Sequence, residues 1–120
     1  MKLIFRGFYK EKPVIFDFNS LHGNRCGVPC VDIDGAPVSI NLLENIGLFT
    51  GLKDKNKKEI YEGDILIYKL NYIEYKEEVS FFNFGFLMRN KNLSSIPLSE
   101  YIGTISEVIG NIYYNPELIK

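Results

Sequence analysis

Apolar and polar residues alternate in short runs along this chain, and few stretches sustain a helical stripe. From Lys2 to Tyr9, Leu3 and Phe5 fall on one face of a predicted strand and Lys2 and Arg6 on the other, with Ile4 and Phe8 blurring the alternation. Lys10-Glu11-Lys12-Pro13 reads as a turn. Val14, Phe16 and Phe18 then share one side of a second strand, so the opening segment predicts a hairpin. Asn19 to Pro29 is a loop by composition, with Ser20, Gly23, Asn24, Gly27 and Pro29 inside it. Val31-Asp32-Ile33 and Val38-Ser39-Ile40 flank Asp34-Gly35-Ala36-Pro37 as another hairpin. Asn41 to Asn45 fits one helical turn, capped by Ser39 or Asn41.

The centre of the pattern is Phe49 to Tyr68. Phe49-Thr50-Gly51-Leu52 leads into Lys53 to Lys58, which holds no apolar residue and reads as a solvated hairpin tip. Ile65, Leu66, Ile67 and Tyr68 suit a largely buried strand. Before them, Gly63 supplies a positive φ at little steric cost, and Asp64 can close the same turn onto a nearby backbone N–H. Ile65 and Ile67 are the residues expected to enter the interior. A helix across 53–62 is disfavoured because Ile60 and Tyr61 alone make no stripe.

Further on, Glu77 to Phe82 predicts a strand, Asn83-Phe84-Gly85 its turn and Phe86-Leu87-Met88 the return. Asn90 to Pro97 reads as a polar loop. Ile102, Ile105, Val108 and Ile109 fit a helical stripe, but Gly103 and Gly110 weaken a helix, so Thr104 to Tyr113 is taken as a strand. Asn115-Pro116-Glu117-Leu118 has a capping side chain, proline at the first helical position and an acid behind it, which predicts a short helical turn. Short strands separated by Gly, Pro and Asn turns argue for an all-β domain, a small barrel or sandwich of antiparallel strands. The Glu62-Gly63-Asp64-Ile65 turn is similar to one used by SH3-like barrels.

Three segments carry a family resemblance. The run from Phe49 to Ile65, including Phe49-Thr50-Gly51-Leu52 and Lys58-Glu59-Ile60-Tyr61-Glu62-Gly63-Asp64-Ile65, resembles the signature of the YopX family. A second match is Glu107-Val108-Ile109-Gly110-Asn111-Ile112-Tyr113-Tyr114-Asn115-Pro116-Glu117-Leu118, and a third is Phe5-Arg6-Gly7-Phe8. The family comprises small bacteriophage and prophage proteins, largely without assigned function. The resemblance implies two small β subdomains sharing a core, with lobes at 1–48 and 49–120 of a single domain. Two positions depart from the family pattern. Lys57 stands where glycine usually follows the turn asparagine, and Phe8 and Tyr9 stand where the opening motif usually carries tryptophan. Segments 19–45 and 69–104 carry no match.

The 120 residues are a single-domain length, long enough to bury a core without staples. Nine phenylalanines and eight tyrosines reinforce the strand reading. A formal charge of −1 gives no global field for gathering nucleic acid. Locally, Lys53, Lys55, Lys57 and Lys58 stand against Asp54 alone. Glu59, Glu62, Asp64, Glu74, Glu77 and Glu78 then outnumber Lys69 and Lys76, and read as a solvated acidic strand face. Arg6 interrupts the only early apolar run, which argues against a signal peptide, and no run reaches the ~20 residues of a membrane span. A cytoplasmic protein with reduced thiols is expected.

For chemistry, His22, Cys26 and Cys30 are a His-x₃-Cys-x₃-Cys candidate metal set, with Asp32 and Asp34 close behind. The spacing is not that of a zinc knuckle, so two small buried thiols and a loop histidine are preferred and no cofactor is expected. Gly47-Leu48-Phe49-Thr50-Gly51 is not followed by the lysine and hydroxyl pair of a phosphate loop, and no nucleophile has an evident base. The reading is therefore binding without catalysis, and the family resemblance implies a phage or prophage accessory protein whose partner is a host or phage protein, such as a host defence complex. Lys53, Lys55, Lys57, Lys58 and Tyr61 are the candidate binding residues; Gly63, Asp64, Asn83 and Gly85 are candidate turn residues. The alternatives are a single-stranded nucleic-acid binder using those lysines with Tyr9, Tyr61, Tyr68, Tyr72, Tyr75 and Phe81, or a self-assembling β protein using open strand edges.

Overall fold

The structure, a computed structural model, describes residues 3–23, 27–82, 85–90 and 95–119. The chain divides into two compact units, Met1–Leu48 and Phe49–Lys120.

In the first unit, β1 (Ile4–Tyr9) and β2 (Lys12–Asp17) pair antiparallel with Tyr9 opposite Lys12. Lys10 and Glu11 between them have φ of 51° and 67°, the pair of positive values a type I′ turn requires. The strand ends at Asp17, whose carboxylate accepts from the Ser20 N–H at 2.9 Å and caps a 3₁₀ turn at Phe18–Ser20. Phe18 therefore leaves the strand assigned to it by alternation and is exposed, its ring edge-on to Phe5. Next, β3 (His22–Gly23), β4 (Pro29–Ile33) and β5 (Ala36–Ser39) form a three-stranded sheet in that order, with Asp34 and Gly35 as a second positive-φ hairpin turn. Ser39 accepts from Asn41 N–H at 3.2 Å and caps the 3₁₀ turn Ile40–Leu42. The first part of β6 (Glu44–Lys53) returns to pair with β1, placing Leu48 opposite Phe5.

The core of this unit is Phe16, Val31 and Leu43, with Phe5, Val14, Leu21, Ile33 and Ile40 packed against it. Alternation assigned Arg6 to the polar face of its strand. It is buried, with its guanidinium 5.0 Å from the centroid of the buried Phe8 ring, a cation–π contact that a hydrophobic count does not foresee.

In the second unit, the last part of β6 pairs with β7 (Glu59–Tyr61), Phe49 opposite Tyr61 and Lys53 opposite Glu59. There follow β8 (Asp64–Leu70), β9 (Ile73–Phe82), β10 (Gly85–Arg89), β11 (Ser95–Pro97), a short helix α1 (Glu100–Ile105), β12 (Glu107–Asn111) and a 3₁₀ turn Pro116–Ile119. Five of these strands form an antiparallel sheet in the order β11-β10-β9-β8-β12. Ile60, Leu66, Tyr68, Val79, Met88 and Ile102 make its core. Of β8, Leu66 and Tyr68 face that core and Ile65 is buried outside the cluster. Ile67, expected inside, is only half-buried, because the register of the strand is one residue from the expected one.

The fold is all-β with a short helix and a closing 3₁₀ turn. Each sheet has open ends, so no barrel, SH3-like or other, closes among the described residues. The expected strand from Thr104 gives way to α1, capped by Ser99 accepting from Ile102 N–H at 3.2 Å, and the strand begins only at Glu107. Gly103 argues against a helix by propensity, but here it is favoured by contact: a Cβ would lie a tight 3.1 Å from the Lys53 carbonyl oxygen. The expected loop Asn90–Pro97 contains β11. Gly85 stands in β10 opposite Phe82, and Asn83 lies outside the described residues. No helix among the described residues is long and apolar enough to cross a membrane.

Candidate functional site

The lysine-bearing turn between β6 and β7 is built around a buried carboxylate. Asp54 Oδ1 accepts from the N–H groups of Asn56 (2.8 Å) and Lys58 (2.9 Å), and Oδ2 accepts from Val108 N–H (3.0 Å) in β12. Main-chain bonds close the same loop: Asp54 N–H to Lys58 O at 2.8 Å and Lys57 N–H to Asp54 O at 2.9 Å. Lys55 N–H reaches Ser106 O at 2.9 Å, just past α1. The tip is thus not the freely solvated loop its composition predicts. A carboxylate accepting three backbone N–H groups is stable when buried, and it fixes the turn from inside.

Lys53, Lys55, Lys57 and Lys58 all project from this rigid base and are exposed. Among the described residues none of their ammonium groups is held in an ion pair. Lys57 has φ 64°, a left-handed conformation that glycine adopts without strain. Lys53, Lys55 and Lys57 line a hollow of about 360 Å³ together with Leu52, Glu100 and Thr104. A second hollow, of about 410 Å³, is lined by Lys55, Ile67, Tyr68, Lys69, Glu74, Ile105 and Glu107.

Tyr61 does not join the lysines as a binding surface. It is buried, its ring centroid is 5.3 Å from that of Phe49, and its hydroxyl donates to Glu59 Oε2 at 3.0 Å. Tyr68 is also buried, stacked on Tyr75 and donating its hydroxyl to the Glu77 carboxylate. Burial and that carboxylate push the Tyr68 phenol above its ordinary range. Glu77 belongs to the predicted solvated acidic face but is buried, as is Asp64. Glu78 is half-buried, and desolvation raises its carboxyl, offset by Arg89 opposite it and reinforced by Glu62.

The turn residues Gly63 and Asp64 behave as expected. Gly63 has φ 94°, and Asp64 Oδ2 accepts from Tyr61 N–H at 2.8 Å. The Tyr113 ring closes over the turn, so a Cβ at Gly63 would lie 2.6 Å from Tyr113 Cε2, and Ile112 N–H donates to Gly63 O at 2.8 Å. In the C-terminal segment, Asn115 accepts from Asn111 N–H at 3.2 Å while Asn111 accepts from Tyr113 and Tyr114 N–H. Asn115 thus reaches back to the strand. A Cβ at Gly110 would meet its Oδ1 at 2.6 Å.

Of the candidate metal set, Cys26 lies outside the described residues. His22 and Cys30 are paired in the β3–β4 register, but they are used separately. His22 Nε2 is 2.9 Å from Asp32 Oδ1 at the surface, and the buried Cys30 thiol donates to Val28 O at 3.4 Å. Among the described residues no group of three His, Cys, Asp or Glu side chains is placed to hold a metal.

These features define a small all-β protein of two internally packed units, with buried aspartates pinning the turns of the second. A family profile described as "YopX protein" matches residues 5–120, and the chain belongs to the YopX family. Protein EF1440 from Enterococcus faecalis is similar at 26% identity, over 99% of this chain and 97% of that one, with a TM-score of 0.60. Protein yopX from Bacillus subtilis shares the fold with a TM-score of 0.62 at 18% identity, over 100% of this chain and 98% of that one. Comparison with curated protein sequences finds no match. The family resemblance read from three segments therefore extends across the parts that carried no legible motif.

Proposed function

We propose that this is a non-enzymatic accessory protein of a phage or prophage, acting in the host cytoplasm by holding a protein partner such as a host defence complex. The observation that carries this reading is the aromatic end of the β9–β10 hairpin. Phe82 is 55% exposed with the Arg89 guanidinium 5.9 Å from its ring centroid, and Phe81, 41% exposed, lies on the other face of the strand with its ring centroid 5.0 Å from that of Phe86. Exposed aromatics and arginine are among the side chains that dominate protein–protein contacts. The buried carboxylates favour the non-enzymatic reading, since Asp54 and Asp64 are engaged on backbone N–H groups.

Self-assembly through the edges of the five-stranded sheet is less favoured. In β12 the N–H groups of Val108 and Asn111 are already taken by Asp54 and Asn115, and β11 carries Pro97, which has no N–H to offer. Nucleic-acid binding at the lysine turn loses its stacking face with the burial of Tyr61.

The test is capture from host lysate with the protein as bait, beside a Phe81→Ser/Phe82→Ser variant. A stoichiometric partner retained by the wild type and lost by the variant is expected. An empty capture at micromolar bait removes the reading.

A further inference from the structure

The two hollows of the second unit share one side chain. Lys55 lines both, and its N–H bond to Ser106 O holds its backbone in place. The hollow on one side is cationic. Asp54 is buried with its carboxylate on three N–H groups, which leaves Glu100 as the exposed acid against Lys53, Lys55 and Lys57. The hollow on the other side is close to neutral, since Lys55 and Lys69 balance Glu74 and Glu107, and Ile67 and Ile105 give it aliphatic walls. Three unpaired ammonium groups around one hollow repel one another until an anion enters.

We infer that the two hollows form a single docking groove for an acidic segment of the protein partner. An Asp or Glu carboxylate sits among Lys53, Lys55 and Lys57, and a neighbouring aliphatic side chain sits against Ile67 and Ile105 on the far side of Lys55. The proposal rests on the protein-partner reading and adds the chemistry of the contact. Volumes of about 360 and 410 Å³ are large enough for side chains, at the lower end of ligand-pocket sizes. A nucleic-acid strand fits less well: its phosphates would pass from the lysines onto Glu100 or Glu107, and it offers nothing aliphatic to the second hollow.

The test is fluorescence anisotropy at low salt with three labelled probes: a short Glu/Leu peptide, its all-Glu counterpart, and an oligothymidylate of equal charge. The Glu/Leu peptide is expected to bind most tightly. K53E/K55E/K57E, all at exposed positions and checked by melting, is expected to weaken it by about tenfold or more. Ile105→Ser, checked by melting as well because Ile105 also packs against the core of the unit, is expected to bring it down to the level of the all-Glu peptide. Oligothymidylate binding at least as tightly as the Glu/Leu peptide, or a triple variant that binds it unchanged, overturns the groove. In the lysate capture, a partner fully retained by the triple variant overturns the groove while the protein-partner reading survives. Capture that fails for the wild type while peptide binding holds overturns that reading and leaves the groove standing.

Discussion

The two units turn short strands back on themselves by different chemistry. In the first, Lys10-Glu11 and Asp34-Gly35 are two-residue turns with exposed side chains, and strand register holds them. In the second, the turns at 54–58 and 62–64 are closed by aspartates buried beneath them. An open turn depends only on its own few residues. A turn with a buried carboxylate depends on every N–H that keeps the charge satisfied, one of which comes from a distant strand. The Asn71-Tyr72 hairpin of the second unit, also at positive φ with Tyr72 in solvent, shows that both devices operate there. The buried device is found at the turn that presents the lysines.

The largest expected effect is at the buried end of this contrast. Asp54→Ala leaves three N–H groups without their acceptor and is expected to destabilise the protein by about 3–4 kcal/mol in a urea titration. A loss below about 1 kcal/mol would make this turn no different from an open one. Next comes Gly63→Ala, where positive φ and the clash with Tyr113 together are expected to remove about 2–3 kcal/mol. In a Tyr113→Ala background the steric share disappears and the backbone share stays, which a double-mutant cycle measures.

In the first unit, Ser20→Ala removes an exposed capping partner of Asp17 and should lower stability by only about 0.5–1 kcal/mol. Lys57→Gly should act in the opposite sense, relieving the left-handed residue and raising stability by about 0.5–1 kcal/mol, while weakening any ligand of the lysine hollow.

The smallest effect is a pH dependence. Glu78 has its carboxyl raised in the fold, chiefly by burial, so the folded state favours the protonated form. Its contribution to stability is full in acid and is lost as pH rises through the folded value. Glu78→Gln should therefore melt about 1 °C or less above the wild type at neutral pH, since solvent screens a half-exposed group, and the gap should close in acid.

The sequence made the strands and hairpins legible where local chemistry decides them. Asp34-Gly35 and Gly63-Asp64 are read correctly because a short-range requirement, positive φ or a nearby N–H, selects the residue. Asn71-Tyr72 is not legible as a hairpin turn because tyrosine carries no turn signal, and only the strand pairing on either side places it there. Gly103 pointed away from the helix because the carbonyl it makes room for, that of Lys53, is remote in sequence. The candidate site divides the same way. Four lysines in a row of polar residues are visible in any reading. The burial of Tyr61, Glu77 and Asp54 depends on partners contributed by other strands, and only the Asp54-Asn56-Lys58 spacing offered a local hint, an aspartate able to bond the backbone two residues on.

The bond from Val108 to Asp54 spans 54 positions of the chain, which sets an order of events during synthesis. The two-residue turns of the first unit are set by residues that leave the ribosome early and together. The lysine turn has to wait: until Val108 emerges, half of the Asp54 carboxylate faces water, and burying it is unfavourable. The segment that would grip a ligand is thus among the last to become rigid, and a nascent chain stalled before Val108 should display those lysines on a floppy loop.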